Sequence, residues 1–247
     1  MTPAPSQQAL EKRHAAAAAL RWVRDGMLLS LGSGSTSAAF ITLLGEAVQA
    51  GQLRVQGTAT SLASENLARQ MGIPLVEPRR GLRFDLAVDG ADELDSQLRL
   101  IKGGGGALLR EKLLETASEY FVVIADSSKL VPQLGRFPLP LEVVPFALPW
   151  VMDAVEKLGG APEVRMAQAG SDQLYRSDQN NLLVDCYFNV IPDPERLMHQ
   201  LQNIPGIVEQ GLFLGMAKAA LIANGEEVQV IRPGLAPAPA SDFVDLP

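Results

Sequence analysis

The stretch Met27-Leu28-Leu29-Ser30-Leu31-Gly32-Ser33-Gly34-Ser35-Thr36 decides how the chain is read. A compact apolar run closed by glycine has the length and boundary of a buried strand. Phe40, Leu43, Leu44, Ala47 and Val48 then recur at helical spacing, and Gly51 is placed to stop that helix. The pattern repeats outward. Arg54 to Thr58 reads as a strand, and Thr60 and Ser61 open a helix that runs through Leu67 and Met71 to Gly72. Ile73 to Val76 and Phe84 to Val88 read as further strands, Ala107 to Ser118 as a helix, and Phe121 to Ala125 as another strand. Strands alternating with helices at this pace predict a parallel, Rossmann-like α/β sheet covered on both faces.

The order changes near Phe137. Strand (Leu141 to Pro145), helix (Trp150 to Leu158), strand (Glu163 to Gln168), strand (Leu182 to Phe188), helix (Pro194 to Gln202) and a strand from Ile207 make a βαββαβ series. That is the ferredoxin-like arrangement. Asp178-Gln179-Asn180-Asn181 supplies the turn before the second of the paired strands, with asparagine tolerating positive φ. The expected division is residues 1–136 with 207–235 as the Rossmann-like domain, 137–206 as an inserted ferredoxin-like α+β domain, and 236–247 as an extended or disordered proline-rich tail. The larger domain regains the chain near Gly211 and adds a strand at Val228 to Ile231.

Composition narrows the chemistry. Of 247 residues, 47% are apolar and 20% charged, as in a folded globular chain large enough for one big or two modest cores. The formal net charge of −7 opposes nucleic acid and anionic membranes. The basic cluster Arg79, Arg80 and Arg83 is followed at once by Asp85, so a substrate anion needs a local cradle. Cys186 is the single cysteine, which leaves no intrachain disulfide and no cysteine-rich zinc site. His14 and His199 both read as solvated helix residues. Chemistry therefore rests on carboxylates and lysines. The alanine run Ala15 to Ala19 is broken off by Arg21 and Arg24, reads as an ordinary helix, and leaves a cytoplasmic address as the default.

In an open parallel sheet, ligands sit beyond the carboxyl ends of the strands. Four polar loops fall there: Gly32–Thr36, Thr60–Ser64, Asp89–Asp95 and Lys102–Gly106. Gly32-Ser33-Gly34-Ser35-Thr36 offers backbone amides, hydroxyls and a helix N-terminus to a phosphate; it reads equally as a tight, well-capped turn. It lacks a P-loop lysine and the spacing of a dinucleotide fingerprint. Asp89-Gly90-Ala91-Asp92-Glu93-Leu94-Asp95 crowds four acids into seven residues, either as a solvated turn or around a lysine. Its spacing is not that of a calcium loop. Lys102-Gly103-Gly104-Gly105-Gly106 spends much backbone entropy on glycine, which suits close approach to a ligand. Glu111 lies on the helix those glycines launch, and by spacing alone reads as a surface partner for a basic residue of that helix.

These segments together resemble the ribose-5-phosphate isomerases of the A type. The likeness is carried by Gly32 to Thr36, by Val88-Asp89-Gly90-Ala91-Asp92-Glu93, and by Ile101 to Lys112. Ile124 to Lys129, Phe137 to Val143 and Ile204-Pro205-Gly206 continue it in order. The Asp-Gly-Ala-Asp-Glu and Lys-(Gly)4-…-Arg-Glu-Lys segments are specific as a pair. The resemblance implies an aldose–ketose isomerase of the non-oxidative pentose phosphate pathway, interconverting ribose 5-phosphate and ribulose 5-phosphate. It implies that Ser33, Gly34, Ser35 and Thr36 bind the phosphate with help from Lys12. Asp89 and Asp92, with Gly90 and Ala91 between them, meet the sugar hydroxyls and assist ring opening; Lys102, Gly103, Gly104 and Gly105 hold the oxygens at C1 and C2. Glu111 is the base, and Lys129 contacts substrate. No cofactor and no metal is implied, and the family's assembly implies a homodimer or homotetramer.

Other readings are weaker. A sugar-phosphate deaminase or lactonase calls for a site histidine, and neither histidine is near these loops. A sugar-phosphate sensor of a transcription regulator calls for a basic DNA-binding helix pair. Coenzyme A transfer through a nucleophilic glutamate calls for a longer chain. The Asp178–Asn181 turn lacks the glycine commoner in the family, and the tail extends past the usual end; both lie away from the proposed site.

Overall fold

The structure is a computed structural model and describes residues 6–168, 170–243 and 246. Residues of the expected domains and tail at 1–5, 169, 244, 245 and 247 lie outside the described residues. The chain begins with α1 (Gln7–Leu20), then β1 (Leu28–Leu31), α2 (Gly34–Gln49), β2 (Gln56–Ala59), α3 (Leu62–Gln70) and β3 (Phe84–Asp89). Two short strands follow, β4 (Glu93–Leu94) and β5 (Leu100–Ile101), before α4 (Leu108–Thr116) and the long β6 (Ser118–Asp126). Then come β7 (Leu139–Val143), α5 (Leu148–Lys157), β8 (Ala161–Val164), β9 (Leu182–Tyr187), α6 (Pro194–Gln202) and β10 (Ile207–Gln210). The chain closes with β11 (Leu212–Phe213), β12 (Ala219–Asn224), β13 (Glu227–Ile231) and β14 (Ala238–Pro239).

The large sheet has the order β14-β13-β12-β6-β3-β1-β2. Its β2-β1-β3-β6-β12 portion is parallel, with β13 and β14 added antiparallel at one edge. The period-two alternation of strand side chains builds two cores. Leu86, Val88, Val122 and Ile124 pack with Ala15, Phe40 and Ala68 of the first three helices. Ala87, Phe121, Val123 and Ala125 pack on the opposite face with Leu108 of α4 and Phe213 of β11. The four-stranded sheet, ordered β10-β7-β9-β8 and antiparallel throughout, carries α5 and α6 in the ferredoxin-like connectivity. It has its own core around Leu141, Val151, Val184 and Leu201. A third, small sheet β11-β5-β4 takes two strands from the connection between β3 and β6 and one from the stretch between β10 and β12.

Several expectations are corrected. Ile73–Val76 is no strand: Leu75 makes one isolated bridge to Gly57, because Pro74 and Pro78 interrupt the run of donors. Ala219–Asn224, which its alanine-rich sequence conceals, is a central strand between β6 and β13. Glu163–Gln168 gives way to Ala161–Val164. The strand from Ile207 pairs with β7, so it belongs to the four-stranded sheet despite lying beyond residue 206. Of the two readings of the tail, the described part is the extended one: Ala238 and Pro239 pair with β13, and Ala240 is buried. His14 is half-buried and hydrogen-bonds through Nδ1 to the Gly225 carbonyl at 2.7 Å. Asn180 takes the positive φ expected of that turn, 63°.

Candidate active site

The chain runs from β1 to β2 on one side and returns to place β3 on the other, so the sheet's switch point lies at the ends of β1 and β3. Two of the polar loops leave the sheet there. Gly32 follows β1, and a Cβ on it would lie 2.1 Å from Asp89 Oδ1, so glycine is what lets that carboxylate reach across. Asp89 Oδ1 accepts from Ser33 N at 2.9 Å, Ser37 Oγ at 2.8 Å and Gly90 N at 2.7 Å. Asp89 therefore ties the two loops together. Gly34 has φ +82° and begins α2, whose first-turn amides have no partner within the helix. Ser33 Oγ and Thr60 Oγ1 share a 2.6 Å hydrogen bond, and Lys12 of α1 donates from Nζ to Ser35 Oγ at 3.0 Å. A cation beside a helix N-terminus makes an anion cradle.

Lys102 directly follows β5, its backbone fixed by donation to Gly211 O at 2.9 Å. The side chain is buried, donates from Nζ to Gly90 O at 2.6 Å, and lies 3.0 Å from Asp89 Oδ2, 3.3 Å from Glu115 Oε1 and 3.5 Å from Glu111 Oε2. The Phe213 ring stands 5.4 Å from Nζ. Burial disfavours the ammonium, but Asp89, Glu111 and Glu115 outweigh it and hold Lys102 well above the ordinary lysine range. Glu111 sits in the first turn of α4 and is buried, not a surface partner on its own helix. Burial raises its carboxyl to about 7, with Lys102 pulling down and Asp89 and Asp92 pushing up. Burial likewise lifts Asp92, against the Gly104 N–H that donates to its Oδ2 at 2.7 Å and the charges of Lys102, Lys129 and Arg165.

These groups enclose one cavity of about 180 Å³ lined by Lys12, Ser33, Gly34, Ser35, Thr36, Gly90, Ala91, Asp92, Lys102, Gly103, Gly105, Glu111 and Lys129. Two residues expected there are absent from its wall. Asp89 is turned inward to the loops and Lys102, and Gly104 points its amide at Asp92. A larger groove of about 580 Å³ opens by Leu62, Leu75, Leu109 and Leu113, but the buried ionisable groups converge on the smaller one. Among the described residues no group of His, Cys, Asp and Glu is arranged to hold a metal, and no helix is long and apolar enough to cross a membrane.

Glu115 and Arg165 were missed by the sequence reading. Glu115 is buried, and burial holds its carboxyl well above the usual range against the pull of Lys102. Its signal was its place four residues after Glu111, on the same helix face. Arg165 had none, because its partners are distant in sequence.

Comparison with known proteins identifies the chain's relatives. The family described as ribose 5-phosphate isomerase A (phosphoriboisomerase A) matches residues 56–227. The chain is 48% identical over 228 residues to a ribose-5-phosphate isomerase A of Bradyrhizobium diazoefficiens, covering 89% of this chain and 94% of that one. It is 46% identical over 224 residues to one of Trichodesmium erythraeum, with 89% and 94% covered. Among solved structures, ribose 5-phosphate isomerase A of Methanocaldococcus jannaschii superposes with a TM-score of 0.85 at 38% identity, covering 92% of this chain and 100% of that one. A D-ribose-5-phosphate isomerase in complex with phospho-erythronic acid gives 0.86 at 36% identity, with 90% and 97% covered. The sequence, the sheet order and the near full-length matches agree, and the chain belongs to the ribose 5-phosphate isomerase A family of enzymes.

Proposed function

We propose that this chain interconverts D-ribose 5-phosphate and D-ribulose 5-phosphate through an enediolate, with Glu111 as the base. The observation that carries the reading is the buried Glu111–Lys102 pair, 3.5 Å apart, opening into the same cavity as the N-terminus of α2. The phosphate binds the amides and hydroxyls of Ser33 to Thr36 with the Lys12 ammonium alongside, which sets the distance from the anion to the reacting carbons. Asp92 meets the sugar hydroxyls and assists ring opening, flanked by Gly90 and Ala91, and Lys129 contacts the sugar. Asp89 acts from behind by fixing the phosphate loop and Lys102. Glu111 removes the proton from C2 and returns it to C1 on the same face. Meanwhile the proton moves between the oxygens at C1 and C2, so aldehyde becomes hydroxyl and hydroxyl becomes ketone. Lys102 and the glycine-loop amides hold the negative oxygen between the two transfers. A base with its pKa near 7 suits both halves of that exchange, accepting a proton and releasing it again.

The same reading takes β7 through β10 as an inserted domain, places the enzyme in the cytoplasm, and expects a homodimer or homotetramer. Phospho-erythronic acid, whose carboxylate imitates the enediolate oxygens, is expected to inhibit competitively. The test is the purified chain with ribose 5-phosphate and a chelator, with ketose followed directly. Absence of ribulose 5-phosphate would reject the activity, and near-normal turnover by Glu111→Gln would reject the base.

A further inference from the structure

The glycine loop is gripped from outside the sheet that carries it. Arg165 follows β8, and its Nη1 donates to Gly103 O at 3.2 Å and to Gly104 O at 3.1 Å. Asp185 on β9 fixes the other edge of the guanidinium, accepting Nε at 2.8 Å on Oδ2 and Nη2 on Oδ1. Tyr175 stacks near the guanidinium, 5.8 Å from the ring centroid, and donates from Oη to Gly105 O at 3.3 Å. A Cβ on Gly106 would lie 2.4 Å from that Oη. None of these three side chains lines the cavity.

A trans peptide sends its N–H opposite to its C=O, and no cis bond occurs among the described residues. The Gly103 carbonyl faces Arg165, and the Gly104 N–H of the same peptide accordingly meets Asp92 Oδ2. The Gly104 carbonyl also faces Arg165, so the Gly105 N–H is aimed away from the guanidinium, and Gly105 itself lines the cavity. Glycine has no strong conformational preference to select that orientation. Gly106 N donates to the Gly103 carbonyl at 2.9 Å, and the cation, reaching both the Gly103 and Gly104 carbonyls, adds to that turn in selecting the orientation and polarises each peptide into a better donor.

We propose that Arg165, clamped by Asp185, is a positioning residue for the isomerisation: it sets the peptide planes of the glycine loop so that Gly104 steadies Asp92 and Gly105 faces the developing oxyanion. The four-stranded sheet then belongs to the working site and is not a bystander. This rests on the isomerase reading above.

Arg165→Met, Arg165→Lys and Asp185→Asn, each checked for folding by circular dichroism, are assayed with ribose 5-phosphate and with two inhibitors, phospho-erythronic acid and inorganic phosphate. Arg165→Met is expected to lower kcat about tenfold or more with KM near that of the wild type. Arg165→Lys, a single-point donor, restores part of kcat, and Asp185→Asn shifts it in the same direction by less. Inhibition by phospho-erythronic acid weakens about tenfold in Arg165→Met, while inhibition by phosphate, which needs only the α2 cradle, holds. If folded Arg165→Met keeps both kcat and phospho-erythronic acid binding, or loses both inhibitors equally, Arg165 is only a strut and the inference is overturned. Failure of the wild type to make ribulose 5-phosphate would instead sink the isomerase reading.

Discussion

Glu111 Oε2 stands 3.5 Å from Lys102 Nζ, with both side chains almost wholly out of solvent. On the proposed mechanism these are the proton acceptor and the cation that steadies the oxyanion, paired in the protein itself. Removing the acceptor while keeping its shape is the direct test. Glu111→Gln is expected to lower kcat by about a hundredfold to ten-thousandfold with KM little changed. In the wild type, kcat/KM should rise with pH through about 7 as Glu111 loses its proton.

The same carboxyl leaves a mark on stability. The folded chain keeps the Glu111 proton up to about pH 7, whereas the unfolded chain releases it near the ordinary value of 4.5. Between those values the folded state binds more protons, so stability falls as pH rises. Glutamine cannot ionise, so the Tm of Glu111→Gln relative to wild type should climb from pH 5 to pH 8. A difference in Tm that stays flat over that range would show that the group is not raised.

Glu115 lies 3.3 Å from Lys102 Nζ and does not line the cavity. Burial holds its carboxyl well above the usual range, so Glu115→Gln, neutral and of equal shape, should retain most of kcat. Glu115→Ala strips the buried cluster of a partner and should lower stability by about 1–3 kcal/mol in urea unfolding. If Glu115→Gln were as inactive as Glu111→Gln, the ionised carboxylate would be the working form.

The anion cradle predicts a split in the kinetic constants. Lys12→Met and Thr36→Ala should each raise KM and leave kcat nearly intact, since neither residue reaches the buried Glu111–Lys102 pair. The Lys12 effect should shrink as salt is added, because its contact with Ser35 is exposed. A fall in kcat at unchanged KM would place these residues elsewhere.

Gly32→Ala would force a methyl group to 2.6 Å from the Asp89 Cβ and closer still to its carboxylate. The loops after β1 and β3 have to part, so thermal stability and phosphate affinity should fall together, with a stability loss of about 1–3 kcal/mol. Retention of both would mean that Asp89 can swing away freely.

Strands whose sequence and burial agree were legible before any coordinates. Phe84–Asp89 and Ser118–Asp126 are apolar runs in the middle of a covered parallel sheet. Ala219–Asn224 was not, because alanine has little β propensity and only pairing on both sides makes it a strand. Ile73–Val76 misled in the other direction, apolar enough but robbed of donors by proline. At the site, Gly32 to Thr36 and Asp89 to Asp92 announced themselves by falling at strand ends. Glu111 is different: its spacing suggested an exposed helix pair, and its buried face depends on Lys102 arriving from another strand. Arg165 was out of reach, since its carbonyl partners on Gly103 and Gly104 meet it only through tertiary packing.

The position of β12 also orders events at the ribosome. In chain order β3 and β6 are both made well before β12, so β6 can pair on one edge while its other edge waits for residues 219–224. The whole four-stranded sheet, ending at Gln210, is synthesised in that interval. Until then the Val122–Ile124 backbone presents an unpaired, apolar border, the kind of edge that recruits strangers. Translation pauses placed before Ala219 are where this chain is most exposed to misassembly.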